Sequence, residues 1–197
     1  MIRQYHPVAG KPPAVSSVHH LAFRCRDAEE TRRFYEDVLG LELTAALALD
    51  EVSGTNAHER YMHLFFRMTG GDFVAFFDAP DHLDDPRQFD RKWGFDQHFA
   101  LAVDSREDLL AFQARIREAG VTCLGPLDHH FCQSIYFYDP NGVQVELTWR
   151  VPEHEAIMAD EKAAARERIR AWSDETRERK AAKLKPVAPP RAVDKSA

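Results

Sequence analysis

His20-Leu21-Ala22-Phe23-Arg24-Cys25-Arg26-Asp27 and His98-Phe99-Ala100-Leu101-Ala102-Val103-Asp104 write one pattern twice: a histidine, an apolar-Ala-apolar triplet, then an acidic residue closing the run. Side chains alternate across a β-strand, so His20, Ala22 and Arg24 share one face while Leu21, Phe23 and Cys25 take the other. The same parity sets His98, Ala100 and Ala102 against Phe99, Leu101 and Val103. The apolar set belongs against helices, and the alanines beside each histidine leave room for a ligand. Each half also closes on a Gly-turned strand, Gly71-Asp72-Phe73-Val74-Ala75-Phe76 and Gly142-Val143-Gln144-Val145-Glu146-Leu147. A repeated unit with a histidine at the same place in both copies, and a carboxylate late in one copy only, reads as a site of two histidines and one glutamate for a divalent metal.

Outward from these strands the repeat predicts β-α-β-β-β twice. Asp27 stands as an N-cap with Glu29 and Glu30 in the first turn, the helix buries Phe34, Val38 and Leu39, and Gly40 ends it before Leu41-Glu42-Leu43. Glu59 to Met68 is the third strand, and Gly70-Gly71 turns it into a fourth from Asp72 to Asp78. In the second copy a helix is expected from about Arg106 to Ala119, then a strand Val121 to Leu124 and a break at Gly125-Pro126. Strand Ser134 to Tyr138, the turn Asp139-Pro140-Asn141-Gly142 and strand Val143 to Trp149 follow. The fold class is therefore α+β: two tandem βαβββ modules forming a bowl-shaped mixed sheet around a metal site, plus a C-terminal helix. Predicted boundaries are a lead-in over 1–17, modules over 18–78 and 98–150, a connection over 79–97, a helix over 151–184 and a disordered tail over 185–197. In that helix Met158, Lys162, Ala165, Ile169 and Trp172 mark a narrow stripe, suited to docking or dimerisation.

Composition excludes several classes. With 197 residues, 44% hydrophobic, the chain can bury an ordinary core. A net charge of −6 argues against a nucleic-acid surface, and no apolar run is long enough to span a membrane. The polar, proline-bearing start lacks the apolar region of a signal peptide, and Cys25, Cys123 and Cys132 are an odd set without zinc-type spacing. Both point to a reducing, cytoplasmic setting.

The blocks His20-Leu-Ala-Phe, Phe34-Tyr35-Glu36-Asp37-Val38-Leu39-Gly40-Leu41 and Ser134-Ile135-Tyr136-Phe137-Tyr138-Asp139-Pro140-Asn141-Gly142, with Val145-Glu146-Leu147 beyond, resemble the vicinal oxygen chelate superfamily over roughly 18–150. That superfamily includes glyoxalase I, methylmalonyl-CoA epimerase, bleomycin-resistance proteins and extradiol dioxygenases. The resemblance implies metal ligands at His20, His98 and Glu146, with Ala75 at the fourth place. Glyoxalase I and the epimerases fill all four places, whereas extradiol dioxygenases use two His and one Glu and keep a face open. His129, Ile135-Tyr136, Asp139-Pro140-Asn141-Gly142 and Glu146 are similar to the extradiol signature, departing from its commonest form at Leu127. By that resemblance His129 and Tyr136 are catalytic groups that hydrogen-bond the bound diol.

The implied activity is Fe(II)-dependent ring cleavage of a catechol, with Mn(II) as the alternative metal. Its partners are a small aromatic or diol substrate and dioxygen, and homo-oligomerisation is open. Phe65 falls opposite Tyr136 in the repeat, and Phe65, Phe73, Phe77 and Arg67 are the candidate substrate-binding residues. Two other activities stay open on this scaffold: a glyoxalase-type metal-dependent lyase or isomerase, and a ligand binder of the bleomycin-resistance kind.

Overall fold

The computed structural model describes residues 9–52, 57–85 and 87–184. The first module runs β1 (His20–Cys25), α1 (Ala28–Arg32), β2 (Glu42–Glu51), β3 (His58–Arg67) and β4 (Phe73–Asp78). Asp27 caps α1 as expected, its carboxylate accepting from the Glu30 amide at 2.7 Å. The helix then widens into a π-helical turn over Arg33–Val38, which places Phe34 and Tyr35 both in the core. The second module runs β5 (His98–Val103), α2 (Arg106–Glu118), β6 (Leu124–Asp128), β7 (Cys132–Tyr138) and β8 (Gln144–Arg150), with Ser105 capping α2. One strand differs from expectation. β6 passes through Gly125-Pro126 instead of stopping there, because the ladder to β7 absorbs the irregularity as a register shift between Leu124 and Leu127.

The α+β class and the two βαβββ modules are as predicted, and the strands divide between two four-stranded sheets, ordered β1-β4-β3-β2 and β5-β8-β7-β6. In each, the first and last strands of the module pair in parallel and the rest antiparallel. Register matches across the repeat. Ala22, Ala75 and Phe65 lie side by side in the first sheet, and Ala100, Glu146 and Tyr136 in the second.

The helix-facing residues of both sheets make one core, with Tyr35, Phe66 and Phe76 of the first module in the same cluster as Phe99, Phe137 and Val145 of the second. Phe23 stacks on Phe99 at 5.2 Å, and Phe34 meets Phe137 at 6.1 Å. Burying apolar area at about 25 cal/mol per Å² makes this shared core the main force joining the modules. A polar latch adds to it. The Asp139 carboxylate accepts from the Tyr35 hydroxyl (3.0 Å), the Asn141 amide (2.9 Å) and the Val143 amide (2.8 Å), while the Asn141 side chain accepts from the Arg26 amide at 3.0 Å. Gly142 closes that turn at φ +77°, where a side chain would strike the carbonyls of Phe89 and Asp90.

Because the apolar faces are spent on this common core, the histidine-bearing face of each sheet turns away from it. In β1 His20, Ala22 and Arg24 are exposed, and in β5 His98, Ala100 and Ala102 are exposed.

Of the described residues, those within 17–152 form one compact unit, and those of 9–16 with 153–184 form another. In the latter, α3 (His154–Lys183) is a 30-residue helix whose stripe residues Met158, Ile169 and Trp172 are exposed. The tail expected over 185–197 lies outside the described residues. Among the described residues no helix is long and apolar enough to cross a membrane.

Candidate metal centre and ligand face

On the second sheet, β8 carries Glu146 between Gln144 and Thr148, opposite Ala100 of β5 and Tyr136 of β7. Glu146 is buried, 8% exposed, and its Oε2 lies 3.6 Å from Nε2 of His98, reached across the space left by Ala100. Nδ1 of His98 is 2.5 Å from the Gly94 carbonyl. A carbonyl only accepts, so Nδ1 carries a ring proton, and Nε2 is the nitrogen that faces Glu146. A metal-ligating histidine needs that arrangement, with its second nitrogen held by a backbone oxygen.

The Gly94 carbonyl was not legible in the sequence. It is placed by the connecting segment, which is pinned where the Lys92 amide donates to the Gly142 carbonyl (3.0 Å) and the Tyr138 hydroxyl donates to the Lys92 carbonyl (2.8 Å).

Tyr136 donates its hydroxyl proton to Oε1 of Glu146 at 3.0 Å, and its oxygen lies 2.7 Å from Nε2 of His129. Since the phenol has one proton, His129 is the donor to Tyr136 in this chain of bonds. Burial first, and the bonded Glu146 charge second, push the Tyr136 phenol up to about 12, so it stays protonated near neutrality. The neighbouring His130 takes another role. With φ at +73° and its amide on the Asp128 carboxylate (2.7 Å), it shapes the hairpin that presents His129.

The predicted residues therefore gather in two groups. His98, Glu146, Tyr136 and His129 meet on the second sheet. His20 stands on the first sheet, its ring 2.9 Å from that of His19 and edge-on to Phe65 at 5.8 Å. Among the described residues no three His, Cys, Asp or Glu side chains come together as a metal-holding group within one chain. His20 is thus not brought to His98 and Glu146, and the physical reason is the outward facing of both polar sheet surfaces.

The face around His20 is aromatic. Phe65 contacts Phe73 at 5.9 Å and His63 at 4.2 Å, and His63 stacks on Phe77 at 3.9 Å. Phe65, Phe73 and Phe77, the residues expected to bind substrate, thus lie together on one aromatic face, Phe77 joined to Phe65 through His63. Arg67, expected beside them, is exposed at the strand end, paired in register with Phe73 and Glu42. Beyond this wall lies a cavity of about 600 Å³, lined by Tyr61, His63, Phe77, Arg24, Glu59 and His82 among others.

A family model for the glyoxalase/bleomycin resistance protein/dioxygenase superfamily matches residues 17–147. The chain belongs to that superfamily. Superfamily members of known structure include a glyoxylase/bleomycin resistance protein/dioxygenase domain from Frankia sp. EAN1pec, with TM-score 0.57 and 19% identity over 73% of this chain and 99% of that one. The genomically encoded fosfomycin resistance protein FosX from Listeria monocytogenes matches at TM-score 0.51 and 22% identity, over 72% of this chain and 98% of its own. A glyoxalase/dioxygenase from Nostoc punctiforme matches at TM-score 0.50 and 26% identity, over 68% and 91%. The Listeria protein is known in complex with Mn(II). No curated protein matches the chain in sequence. At these identities the solved structures bear on the fold, and the chemistry rests on the chain's own residues.

Proposed function

We propose that this superfamily member is a metal-dependent extradiol-type dioxygenase, acting on a catecholic ring at a site that two copies of the chain build together. His98 and Glu146 of one copy and His20 of the other would hold the metal, Fe(II) in the first place and Mn(II) as the alternative. The observation that carries this reading is the hydrogen-bonded series His129, Tyr136, Glu146 beside His98, which unites the residues of the extradiol signature on one sheet face. The donor set fits a divalent ion: an imidazole held through Nδ1 by a carbonyl, so that Nε2 is the nitrogen available to the ion, and a carboxylate.

A second copy is called for on two grounds. The third ligand stands on the other sheet's outward face. Around the His98–Glu146 face, Trp93, Phe95, Leu124, Leu127 and Phe131 are large apolar residues left exposed, a pattern that marks a surface to be covered.

When bound, the metal supplies Lewis acidity and a meeting place for the diol and dioxygen. The chain's own groups do the rest. Tyr136 Oη is a protonated donor that can give its hydrogen bond to a substrate oxygen in place of Glu146, and His129 Nε2 can replace the proton at Oη or take one from the second hydroxyl. The wall of Phe65, Phe73 and Phe77, brought by the second copy, holds the ring and excludes water. In the net reaction the ring bond next to the diol breaks, and both atoms of dioxygen enter the product.

Protein reconstituted anaerobically with Fe(II) should consume oxygen with a member of a catechol panel and give a coloured ring-fission product. Stoichiometric iron with no uptake on any catechol would refute the oxygenase. Sharing of the site is tested by mixing His20→Ala with Glu146→Ala after joint refolding. Each variant alone should hold no metal, and the mixture should recover about a quarter of the wild-type metal, since half the pairs are mixed and each has one intact site. No recovery would refute the shared site.

A further inference from the structure

The cavity beside the aromatic wall is built over a floor of Tyr61, His63 and Phe77 on β3 and β4. Tyr61 meets Phe77 edge-on at 5.8 Å and His63 lies flat on it at 3.9 Å, so the floor is a continuous aromatic surface. The charged groups lining the cavity are engaged with one another or with the backbone. Glu59 pairs with His82 at 2.9 Å, and Arg24 donates to the carbonyls of His82 (2.8 Å) and Ala79 (3.3 Å). Nε2 of His63 differs: it is shut off from water and, among the described residues, has no hydrogen-bond partner. A buried polar atom left unpaired destabilises the free protein, so its retention on a ligand-facing wall calls for a group that arrives from outside.

We propose that this cavity is a subsite for a planar aromatic ring bearing an uncharged oxygen substituent, and that His63 selects the ligand by hydrogen-bonding that oxygen. The stacked floor favours a flat ring. An ionised substituent is disfavoured, because the lining offers no disengaged cation to compensate its desolvation. The subsite rests on the reading above only in taking the outward face of the first sheet as the ligand-binding face. It neither needs the metal nor turns over ligand.

The test is binding by the full chain stripped of metal with a chelator, titrated calorimetrically with 2-naphthol, 2-naphthoate and decahydro-2-naphthol. Wild type should bind 2-naphthol at least about tenfold more tightly than either of the others. His63→Phe preserves the stack and should lose about tenfold for 2-naphthol while leaving 2-naphthoate within about twofold. In wild type with ¹⁵N-labelled histidine, one ring-nitrogen resonance should move on adding 2-naphthol, and this movement should be missing in His63→Phe. Unchanged 2-naphthol affinity in His63→Phe, or tighter binding of 2-naphthoate by wild type, would overturn the subsite. Since no metal is present and binding alone is read, an oxygenase that fails on every catechol leaves this result standing, and the reverse holds as well.

Discussion

The two sheets set the same row of positions before solvent and fill it with opposite chemistry. In the first, Ala22, Ala75 and Phe65 lie abreast, and in the second Ala100, Glu146 and Tyr136. One face is aromatic, with His20 and His63 against its phenylalanine rings, and the other carries a carboxylate with a phenol at 3.0 Å, one histidine 3.6 Å from the carboxylate and a second bonded to the phenol. One repeated scaffold thus carries different side chains at two positions of the row, Ala75 and Phe65 in the first sheet against Glu146 and Tyr136 in the second. The turns diverge likewise. In the first module's hairpin Thr69 and Gly70 are exposed and Gly71 and Asp72 half-buried, whereas Asp139 and Asn141 of the second are buried and tie that module to Thr31 of α1 and to Tyr35 of the π-helical turn after it.

The sharpest break of this contrast is Tyr136→Phe, which gives the second row the side chain of the first. Metal content should stay near wild type, because Tyr136 touches Glu146 without being a donor to the ion. The oxygen-uptake rate should fall by about 10²–10⁴, the usual worth of a positioned acid-base group. A fall of less than threefold at full metal loading would remove Tyr136 from the chemistry. Phe65→Tyr, the reverse exchange, should change metal content and rate little, since it adds a phenol without a neighbouring carboxylate.

The contrast between the turns predicts a smaller effect, on stability. Asp139→Ala leaves the Tyr35 hydroxyl, two backbone amides and the Asn141 side chain without their acceptor in a buried place, and should cost at least about 3 kcal/mol in urea unfolding. Asp72→Ala, at a half-buried carboxylate that accepts from the Ser17 hydroxyl at 3.4 Å, should stay within about 1 kcal/mol. Equal costs would mean that the second turn is no latch.

Much of this was legible in sequence because strand parity is a rule of period two. Once the hairpin glycines Gly71 and Gly142 are aligned, the places of Ala75 against Glu146 and Phe65 against Tyr136 follow, and the sheets have matching registers there. What parity could not give was which way each sheet faces. That depends on where the apolar faces find partners, and Phe23 on Phe99 and Phe34 on Phe137 unite the modules through their helix sides. Both polar faces are then outward, and His20 is parted from His98 and Glu146. The Gly94 carbonyl and the unpaired His63 nitrogen were equally hidden, since each is defined by a neighbour distant in sequence or by a missing one.

The mildest test sets two buried thiols side by side. All three cysteines are free and buried, and Cys25 ends β1 against Thr31, Asp78 and Asp139. Burial chiefly, and those carboxylates secondarily, push its thiol up to about 12 from an ordinary value near 9. The folded state therefore holds this proton more tightly than the unfolded chain does. The stabilisation is complete below about pH 9 and is lost progressively as pH rises towards 12. Cys123 is also raised by burial, but Arg117 acts against the rise. Melting temperatures at pH 8 and 10.5 should fall more in wild type than in Cys25→Ala, whereas Cys123→Ala should track wild type more closely. Tyr35, buried and raised by burial and by Asp139, contributes alkaline loss of its own beginning near pH 10, so Cys25→Ala should flatten the decline without abolishing it. A decline in Cys25→Ala as steep as in wild type would mean that the first module's strand end does not govern alkaline unfolding.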